Sequence, residues 1–157
     1  MSPRIEVKIL DERLREWGLP RYQTPQAAAL DLMACIDEPL SIEPQAAAVL
    51  VPTGLALHMD SDAFCALILP RSGLGHKKGL VLGNSVGLID ADYMAQLYIS
   101  AWNRQPATAG QAPIVIQPGE RIAQLMFVPV VRPQLEVVSA FSQRSQRGDG
   151  GFGSTGG

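Results

Sequence analysis

The apolar residues of this chain come in short segments that turn-forming residues separate. Four such segments lie between residues 40 and 69, and Pro44, Pro52 and Gly54 stand among the residues that separate them. Closely spaced short strands with turn residues between them are typical of an all-β sandwich or barrel. No long amphipathic helix pattern is present, and the alternation of strands and helices that a doubly wound fold needs is missing. We therefore expect an all-β domain over residues 1–140.

The start of the chain predicts one strand and one short helix. Residues 5–9 alternate between apolar and charged side chains, as in a half-buried strand. Residues 11–17 predict a short helix that Asp11 caps and Gly18 ends. Trp17 is expected to anchor this turn on the body of the domain.

The low charge density argues against a surface that binds nucleic acid. The 157 residues carry a formal net charge of -2, whereas proteins that bind duplexes are usually basic. Cys35 and Cys65 lack metal-ligand spacing and lie in apolar runs, so we expect buried, reduced thiols. The chain opens on charged residues, and Pro, Gly or Gln breaks each apolar stretch before it reaches membrane-spanning length. The expectation is a soluble, cytoplasmic protein with no direct contact to nucleic acid or membrane.

Residues 87–93, Gly-Leu-Ile-Asp-Ala-Asp-Tyr, predict the end of a strand and a tight turn. Alternation in residues 96–102 predicts a second strand, so the pattern favours a β-hairpin whose tip offers backbone donors and acceptors to a planar polar ligand. We expect Asp90 to do chemistry there and Tyr93 to restrict what binds. The alternative is structural, because aspartate is common in turns and tyrosine in strands.

Two polar residues interrupt apolar strands. Asp31 stands in an apolar run, where a charge costs free energy unless it is paired, hydrogen-bonded or near a cation. It is either an outward-facing strand residue or a carboxylate that serves the hydration shell of a metal ion. Gln124 is expected on the face of its strand opposite that of Arg121. It is either a satisfied core amide or a hydrogen-bonding partner for a ligand oxygen.

The glycine-rich segment of residues 70–79 follows a predicted strand directly. Its three glycines allow a close approach of the backbone to a ligand, and Arg71 and Ser72 offer a charged fork and a hydroxyl. The segment is either an anion-binding nest or a basic surface loop. It is not a Walker A loop, because the Gly-Lys-Ser/Thr ending is missing.

The last residues differ in composition from the rest. Six of the last ten are glycine, so residues 141–157 are expected to form a mobile C-terminal arm. Arg147, Phe152, Ser154 and Thr155 nevertheless supply a phosphate partner, a stacking ring and two hydroxyls. These groups favour a lid over an anionic, aromatic ligand, and the alternative is a disordered terminus.

Five segments, taken in order, resemble the motifs of the dUTPase family. They are residues 29–34 (Ala-Leu-Asp-Leu-Met-Ala), 70–74 (Pro-Arg-Ser-Gly-Leu), 87–93, 119–125 (Gly-Glu-Arg-Ile-Ala-Gln-Leu) and 147–156. The resemblance covers the chain from about Ile5 to its end. It implies a jelly-roll subunit, a homotrimer with active sites built from all three chains, and Mg²⁺-dependent hydrolysis of dUTP to dUMP and pyrophosphate. That activity would limit uracil incorporation into DNA and supply dUMP for thymidylate synthesis.

The resemblance also implies roles for residues on the nucleoside side. Asp90 matches the carboxylate that orients and deprotonates the attacking water, and Tyr93 matches the ring beneath the deoxyribose. Asn84 and the backbone of Leu88, Ile89 and Asp90 match the groups that bind the uracil edge. Tyr98 matches another contact of the base site.

The remaining roles concern the phosphates. Arg71, Ser72, Gly73 and Gln124 match phosphate contacts, and Asp31 matches the acid that holds metal-bound waters. The residues matched in the arm are Arg147, which would clamp the terminal phosphate, Phe152, which would stack on the base, and Gly153, Ser154 and Thr155, which would join these contacts.

Two positions depart from the family pattern, and two other functions remain open. Ala29 and Ala95 stand where the motifs often have glycine, so the added methyl group leaves less room for the backbone to approach a ligand closely. A dCTP deaminase resembles this fold, but it needs a glutamate acting on the base amine, and none lies beside residues 87–93. A non-catalytic dUTP-binding protein on the same scaffold is the other alternative.

Overall fold

The computed structural model describes residues 4–143, which form two four-stranded sheets and one two-stranded sheet. The strands are β1 (Ile5–Ile9), β2 (Leu30–Met33), β3 (Leu40–Ile42), β4 (Val49–Met59), β5 (Phe64–Pro70), β6 (Leu80–Leu82), β7 (Gly87–Ile89), β8 (Gln96–Asn103), β9 (Ile114–Ile116) and β10 (Arg121–Pro129). The first sheet has the order β1-β4-β8-β6, the second β2-β10-β5-β7, and β3 pairs with β9. The expected all-β fold is confirmed.

The core lies between the inward faces of the two larger sheets. Val51 and Ile99 face it from the first sheet, and Ile68 and Leu125 face it from the second, each almost fully buried. Because side chains alternate along a strand, the residues next to these point outward. The hydrophobic effect therefore holds the two sheets together and leaves the outer faces available for other contacts.

The predicted helix forms as α1 (Arg13–Trp17). Asp11 Oδ1 accepts a hydrogen bond from the backbone N–H of Arg13 at 3.0 Å, which satisfies one free donor of the first turn. Gly18 ends the helix with φ +93°, and its N–H donates to the Leu14 carbonyl at 3.0 Å. The Trp17 ring lies against Gly119, as expected of an anchor.

The prediction that Pro52 and Gly54 separate two strands is wrong, because β4 continues through both. Its pairing with β8 shifts there, so that three residues of β4 lie opposite Leu97 alone. Thr53 Oγ1 closes this bulge by donating to the Leu97 carbonyl at 2.9 Å, and Gly54 adopts φ +70°. A bulge absorbs the proline without ending the strand.

The predicted β-hairpin is also wrong, although both of its strands form. β7 pairs with β5 in the second sheet, while β8 pairs with β4 and β6 in the first. Both edges of β8 are therefore occupied within the described residues. The turn between Ile89 and Gln96 carries the chain from one sheet to the other.

A bulge in β10 overturns the expectation that Arg121 and Gln124 face opposite ways. Arg121 pairs with Met33 and Gln124 pairs with Asp31, with a register shift just after Arg121. Met33 and Asp31 are two residues apart on β2 and so share a face. The bulge therefore brings Arg121 and Gln124 to the same face of the sheet as Asp31.

Beyond β10 the chain continues to residue 143 without a further strand. Val130 still donates its N–H to the Ala63 carbonyl, and Arg132 pairs with Asp62. Beyond that point, Leu135, Val137 and Phe141 are almost fully exposed. No helix within residues 4–143 is long and apolar enough to cross a membrane.

Candidate active site

One cleft, which we call the phosphate cleft, gathers the residues within 4–143 that are expected to serve the phosphates. Asp31, Arg71, Ser72, Gly73 and Gln124 line a depression of about 370 Å³. β2, β10 and the end of β5 lie side by side in the second sheet, and this places the residues together although they are distant in sequence. Ala29 lines the same cleft, at the position where the family motif often has glycine.

Asp31 is held by two arginines. Its side chain is 12% exposed, and Oδ1 lies 2.9 Å from Arg71 Nε while Oδ2 lies 3.2 Å from Arg121 Nη1. Arg71 Nη1 also donates to the Arg121 carbonyl oxygen at 3.0 Å. Asp31 therefore lies on the outer face of β2 with a cation at each carboxylate oxygen.

Gln124 is satisfied on one side and open on the other. Its Nε2 donates to the Pro70 carbonyl oxygen at 2.8 Å, which fixes the end of β5 beside it. The residue is partly buried and lies directly opposite Asp31. The amide thus braces the strand end and still lines the cleft.

The segment after β5 is helical rather than an open nest. Ser72 and Gly73 begin a helical turn that continues as a π-helix over Leu74–Lys78, and Gly75 donates its N–H to the Arg71 carbonyl at 2.8 Å. Nothing within 4 Å would meet a Cβ on Gly73, so the backbone there is open to a ligand.

A second group of predicted residues surrounds β7. Asn84 precedes Ser85, which has the unusual φ of +62°, and Val86 donates its N–H to the Asn84 carbonyl at 2.6 Å. A non-glycine residue in this region carries strain and is often found at ligand sites. A Cβ on Gly87 would lie 3.1 Å from Ile68, so the chain passes close to the core here.

Leu88, Ile89 and Asp90 follow along β7 and into the turn. Leu88 is 61% exposed on the outer face, Ile89 is half-buried, and Asp90 is exposed. The Asp90 carbonyl accepts a hydrogen bond from the backbone N–H of Tyr93 at 3.1 Å, which closes the turn. The Asp90 carboxylate has no ion pair among the described residues.

Gln96, which the sequence did not mark as a site residue, links the two tyrosines. Tyr93 Oη donates to the Gln96 carbonyl at 2.9 Å, and Gln96 Nε2 donates to Tyr98 Oη at 2.9 Å. Gln96 Oε1 accepts from the N–H of Gly54 at 3.1 Å. The N–H of Gly54 reaches Gln96 only because of the bulge in β4, so no local sequence pattern predicts this hydrogen bond.

The two groups lie at opposite ends of the second sheet. Asp31 pairs with Gln124, and Gln124 pairs with Leu69 on its other side, so Asp31 and Leu69 are at the same height in the sheet. Asp90 comes one residue after Ile89, which pairs with Ala66. Four residues along the strands and three strand spacings across them separate Asp31 from Asp90 by about 20 Å. One chain does not bring its phosphate cleft and Asp90 together.

A second cleft of about 470 Å³ borders the first. It is lined by Trp17, Arg21, Gln23, Arg121 and others, and it shares Gln23 and Asp31 with the phosphate cleft. The Asp31–Arg121 pair therefore stands between the two depressions. Arg21 and Arg121 make this side of the sheet basic.

Residues 4–143 contain no group of three or more His, Cys, Asp or Glu side chains that could hold a metal ion. Asp31 already has an arginine at each oxygen. Mg²⁺ commonly keeps several waters and binds through one or two carboxylates together with substrate phosphates. Asp31 is the carboxylate that lines the phosphate cleft, so it is the residue predicted to hold such waters. The arm residues Arg147, Phe152, Gly153, Ser154 and Thr155 lie outside the described part of the chain.

The fold and the arginine-lined cleft define an all-β protein suited to a phosphorylated ligand. The family model described as dUTPase matches residues 15–156, and the chain belongs to the dUTPase family. Its β-sandwich is the jelly roll of that family.

Among similar curated proteins are deoxyuridine 5′-triphosphate nucleotidohydrolases of Ralstonia nicotianae and Aeromonas salmonicida. The first is 56% identical and matches 98% of both chains, and the second is 54% identical and matches 99% of both. A solved dUTPase of Staphylococcus bacteriophage 80alpha with dUpNHpp has a TM-score of 0.81 at 26% identity and covers 99% of both chains. A dUTPase from phage phi11 of S. aureus, described with a structural Mg(II) ion, has a TM-score of 0.77 at 25% identity and covers 89% of this chain and 99% of its own.

Proposed function

We propose that this protein hydrolyses dUTP to dUMP and pyrophosphate. The observation that carries this conclusion is the 56% identity, over 98% of both chains, to a protein named as a deoxyuridine 5′-triphosphate nucleotidohydrolase. The activity would keep uracil out of DNA and supply dUMP for thymidylate synthesis. No feature of the described residues favours a dCTP deaminase or a non-catalytic binding protein.

The phosphate cleft would neutralise and align the triphosphate. Arg71 supplies a cationic fork, while Ser72, the Gly73 backbone and Gln124 supply hydrogen-bonding groups along one wall. Positioning and charge stabilisation are the main contributions that phosphoryl transfer needs from a protein. Mg²⁺ on the phosphates would add positive charge, with Asp31 holding its water ligands.

Asp90 would orient the attacking water and accept its proton. The carboxylate is exposed and has no ion pair within residues 4–143, so it is available to a water molecule. A general base within one hydrogen bond of the nucleophile typically contributes about 100-fold or more to the rate. Pyrophosphate would be the leaving group.

The nucleoside would bind beside β7. Asn84 and the backbone of residues 88–90 offer donors and acceptors to the uracil edge, and Tyr98 lies on the neighbouring sheet. A site built on hydrogen bonds rejects a base whose edge leaves its polar groups unpaired. The Tyr93 ring, fixed by its bond to the Gln96 carbonyl, would exclude a 2′-hydroxyl.

We also propose a homotrimer with shared active sites. The separation of about 20 Å between Asp31 and Asp90 supports this, because a second copy must bring a phosphate cleft to each Asp90. Leu67, Met126 and Leu88 lie side by side on the outer face of the second sheet and would be covered by such a contact. Residues 141–157 would close over the site as an arm.

The proposed location is the cytoplasm. Cys35 and Cys65 are both buried and unbonded, as is usual in a reducing compartment.

The test is pyrophosphate release from dUTP, dTTP, dCTP and UTP by the purified protein with Mg²⁺. Release from dUTP alone is expected, and ammonia release from dCTP would identify a deaminase instead. Binding of dUTP without release of pyrophosphate would indicate the non-catalytic alternative.

A further inference from the structure

Arg121 contacts the phosphate cleft only through other residues. Its guanidinium pairs with Asp31 at 3.2 Å, and its carbonyl oxygen accepts a hydrogen bond from Arg71 at 3.0 Å. Arg71 pairs in turn with the other oxygen of Asp31 at 2.9 Å. Asp31, Arg71 and Arg121 thus form a closed triangle in which each member touches the other two.

The bulge in β10 makes this triangle possible. Without the register shift after Arg121, regular alternation would put its side chain on the face opposite Gln124. The bulge turns it to the outer face, beside Asp31. Bulges often redirect a side chain near a ligand site.

The triangle leaves Arg71 with two competing partners. In the described structure Arg71 is engaged by Asp31, yet the proposed function needs the same guanidinium on a substrate phosphate. When Arg71 turns to the phosphate, Asp31 loses one of its two cations. A carboxylate that is only 12% exposed is costly to leave without a counter-charge.

We propose that Arg121 is a positioning residue that keeps Asp31 paired when Arg71 turns to the triphosphate. This inference rests on the proposed function. If Arg121 is lost, Asp31 has Arg71 as its sole partner in the triangle and competes with the phosphate for it. The affinity for a triphosphate then falls, whereas the affinity for dUMP, which lacks the β- and γ-phosphates, changes little.

The experiment compares binding of dUpNHpp and dUMP, each with Mg²⁺, to the full chain by calorimetry. Arg121→Met is expected to weaken dUpNHpp binding by about tenfold or more and dUMP binding by less than about twofold. Arg121→Lys keeps one charged donor and should restore most of the loss, and it also covers the case in which Arg121→Met does not fold. Arg21→Met is the matched control, since it removes a charge from the adjoining cleft without a contact to Asp31.

A double-mutant cycle separates positioning from general loss of charge. Asp31→Asn removes the competitor for Arg71, so adding Arg121→Met to it should cost much less than in the wild-type background. Equal losses for dUpNHpp and dUMP, or equal effects of Arg121→Met and Arg21→Met, would overturn the proposal. Hydrolysis of dUTP by the wild-type protein is assayed in parallel, because its absence would refute the proposed function rather than the role of Arg121.

Discussion

Asp31 and Asp90 stand at opposite corners of one four-stranded sheet, about 20 Å apart. The first lies in the cleft that Arg71 lines, and the second follows β7, beside which the nucleoside is proposed to bind. A triphosphate bound in the cleft beside Asp31 of one chain therefore does not reach Asp90 of the same chain. The separation makes assembly of several copies a requirement of the proposed chemistry.

Asp90→Asn tests the proposed general base. The amide keeps the size of the side chain but does not take up a proton, so kcat for dUTP should fall by about 100-fold or more while dUpNHpp still binds. Single-turnover kinetics and calorimetry measure the two effects separately. Comparable turnover in both proteins would remove Asp90 from this role.

Deletion of residues 147–157 tests the arm. We expect the fold and the assembly to persist, because the described core ends well before these residues, and we expect the activity to fall by about tenfold or more. Circular dichroism and light scattering serve as controls for folding and assembly. Unchanged kinetics would show that the segment takes no part in catalysis.

Asp11→Asn should lower the stability of the folded protein at neutral pH and make that stability depend less on pH in acid. The Arg13 guanidinium holds the pKa of the Asp11 carboxyl well below its usual range. A lowered pKa gives stability that is present above the unfolded value, about 3.9, and is lost as pH falls below it. The amide oxygen of asparagine still accepts the backbone N–H of Arg13, so the expected loss comes from the ion pair with Arg13.

Thermal unfolding between pH 2 and pH 7 measures this effect. Glu12→Gln is the matched control, because the Glu12–Arg15 pair on the same helix is exposed and should matter little. An Asp11→Asn curve parallel to that of the wild type across this range would contradict the assignment.

Gly54→Ala should be among the most damaging substitutions in β4. A Cβ there would lie 2.8 Å from Cys35 Sγ and 2.9 Å from Asp11 Cβ, at φ +70°. Gly18→Ala provides the comparison, since Gly18 also has positive φ but nothing lies within 4 Å of an added Cβ. In chemical denaturation, Gly54→Ala should lower the free energy of unfolding by about 1–2 kcal/mol more than Gly18→Ala does. Equal losses of free energy would mean that the surrounding core rearranges to accommodate the methyl group.

Local pattern predicted the strands of this protein but not their partners. Alternation placed β1 and β8 nearly residue for residue, because a strand imposes a period of two on its own sequence. Pairing is a long-range property, so the assignment of β7 and β8 to different sheets left no local trace. The hairpin was predicted from the turn residues between the two strands, and that prediction was wrong.

The same limit applies to the site. Motif resemblance selected Asp31, Arg71 and Gln124, and the structure brings them into one cleft. The roles assigned to them remain predictions. Arg121 escaped notice because only the bulge in β10 turns it toward Asp31, and alternation alone had placed it on the other face.

Mixing two inactive variants measures the shared site most directly. Asp90→Asn and Arg71→Ala each disable a different corner of the sheet, so each alone should have little activity. The two variants are mixed 1:1, unfolded together and allowed to reassemble at random. If a site combines Asp90 of one copy with Arg71 of another, the mixture should recover about one quarter of the wild-type activity. Recovery near that value is the predicted result, and a mixture no more active than either variant would contradict an active site shared between copies.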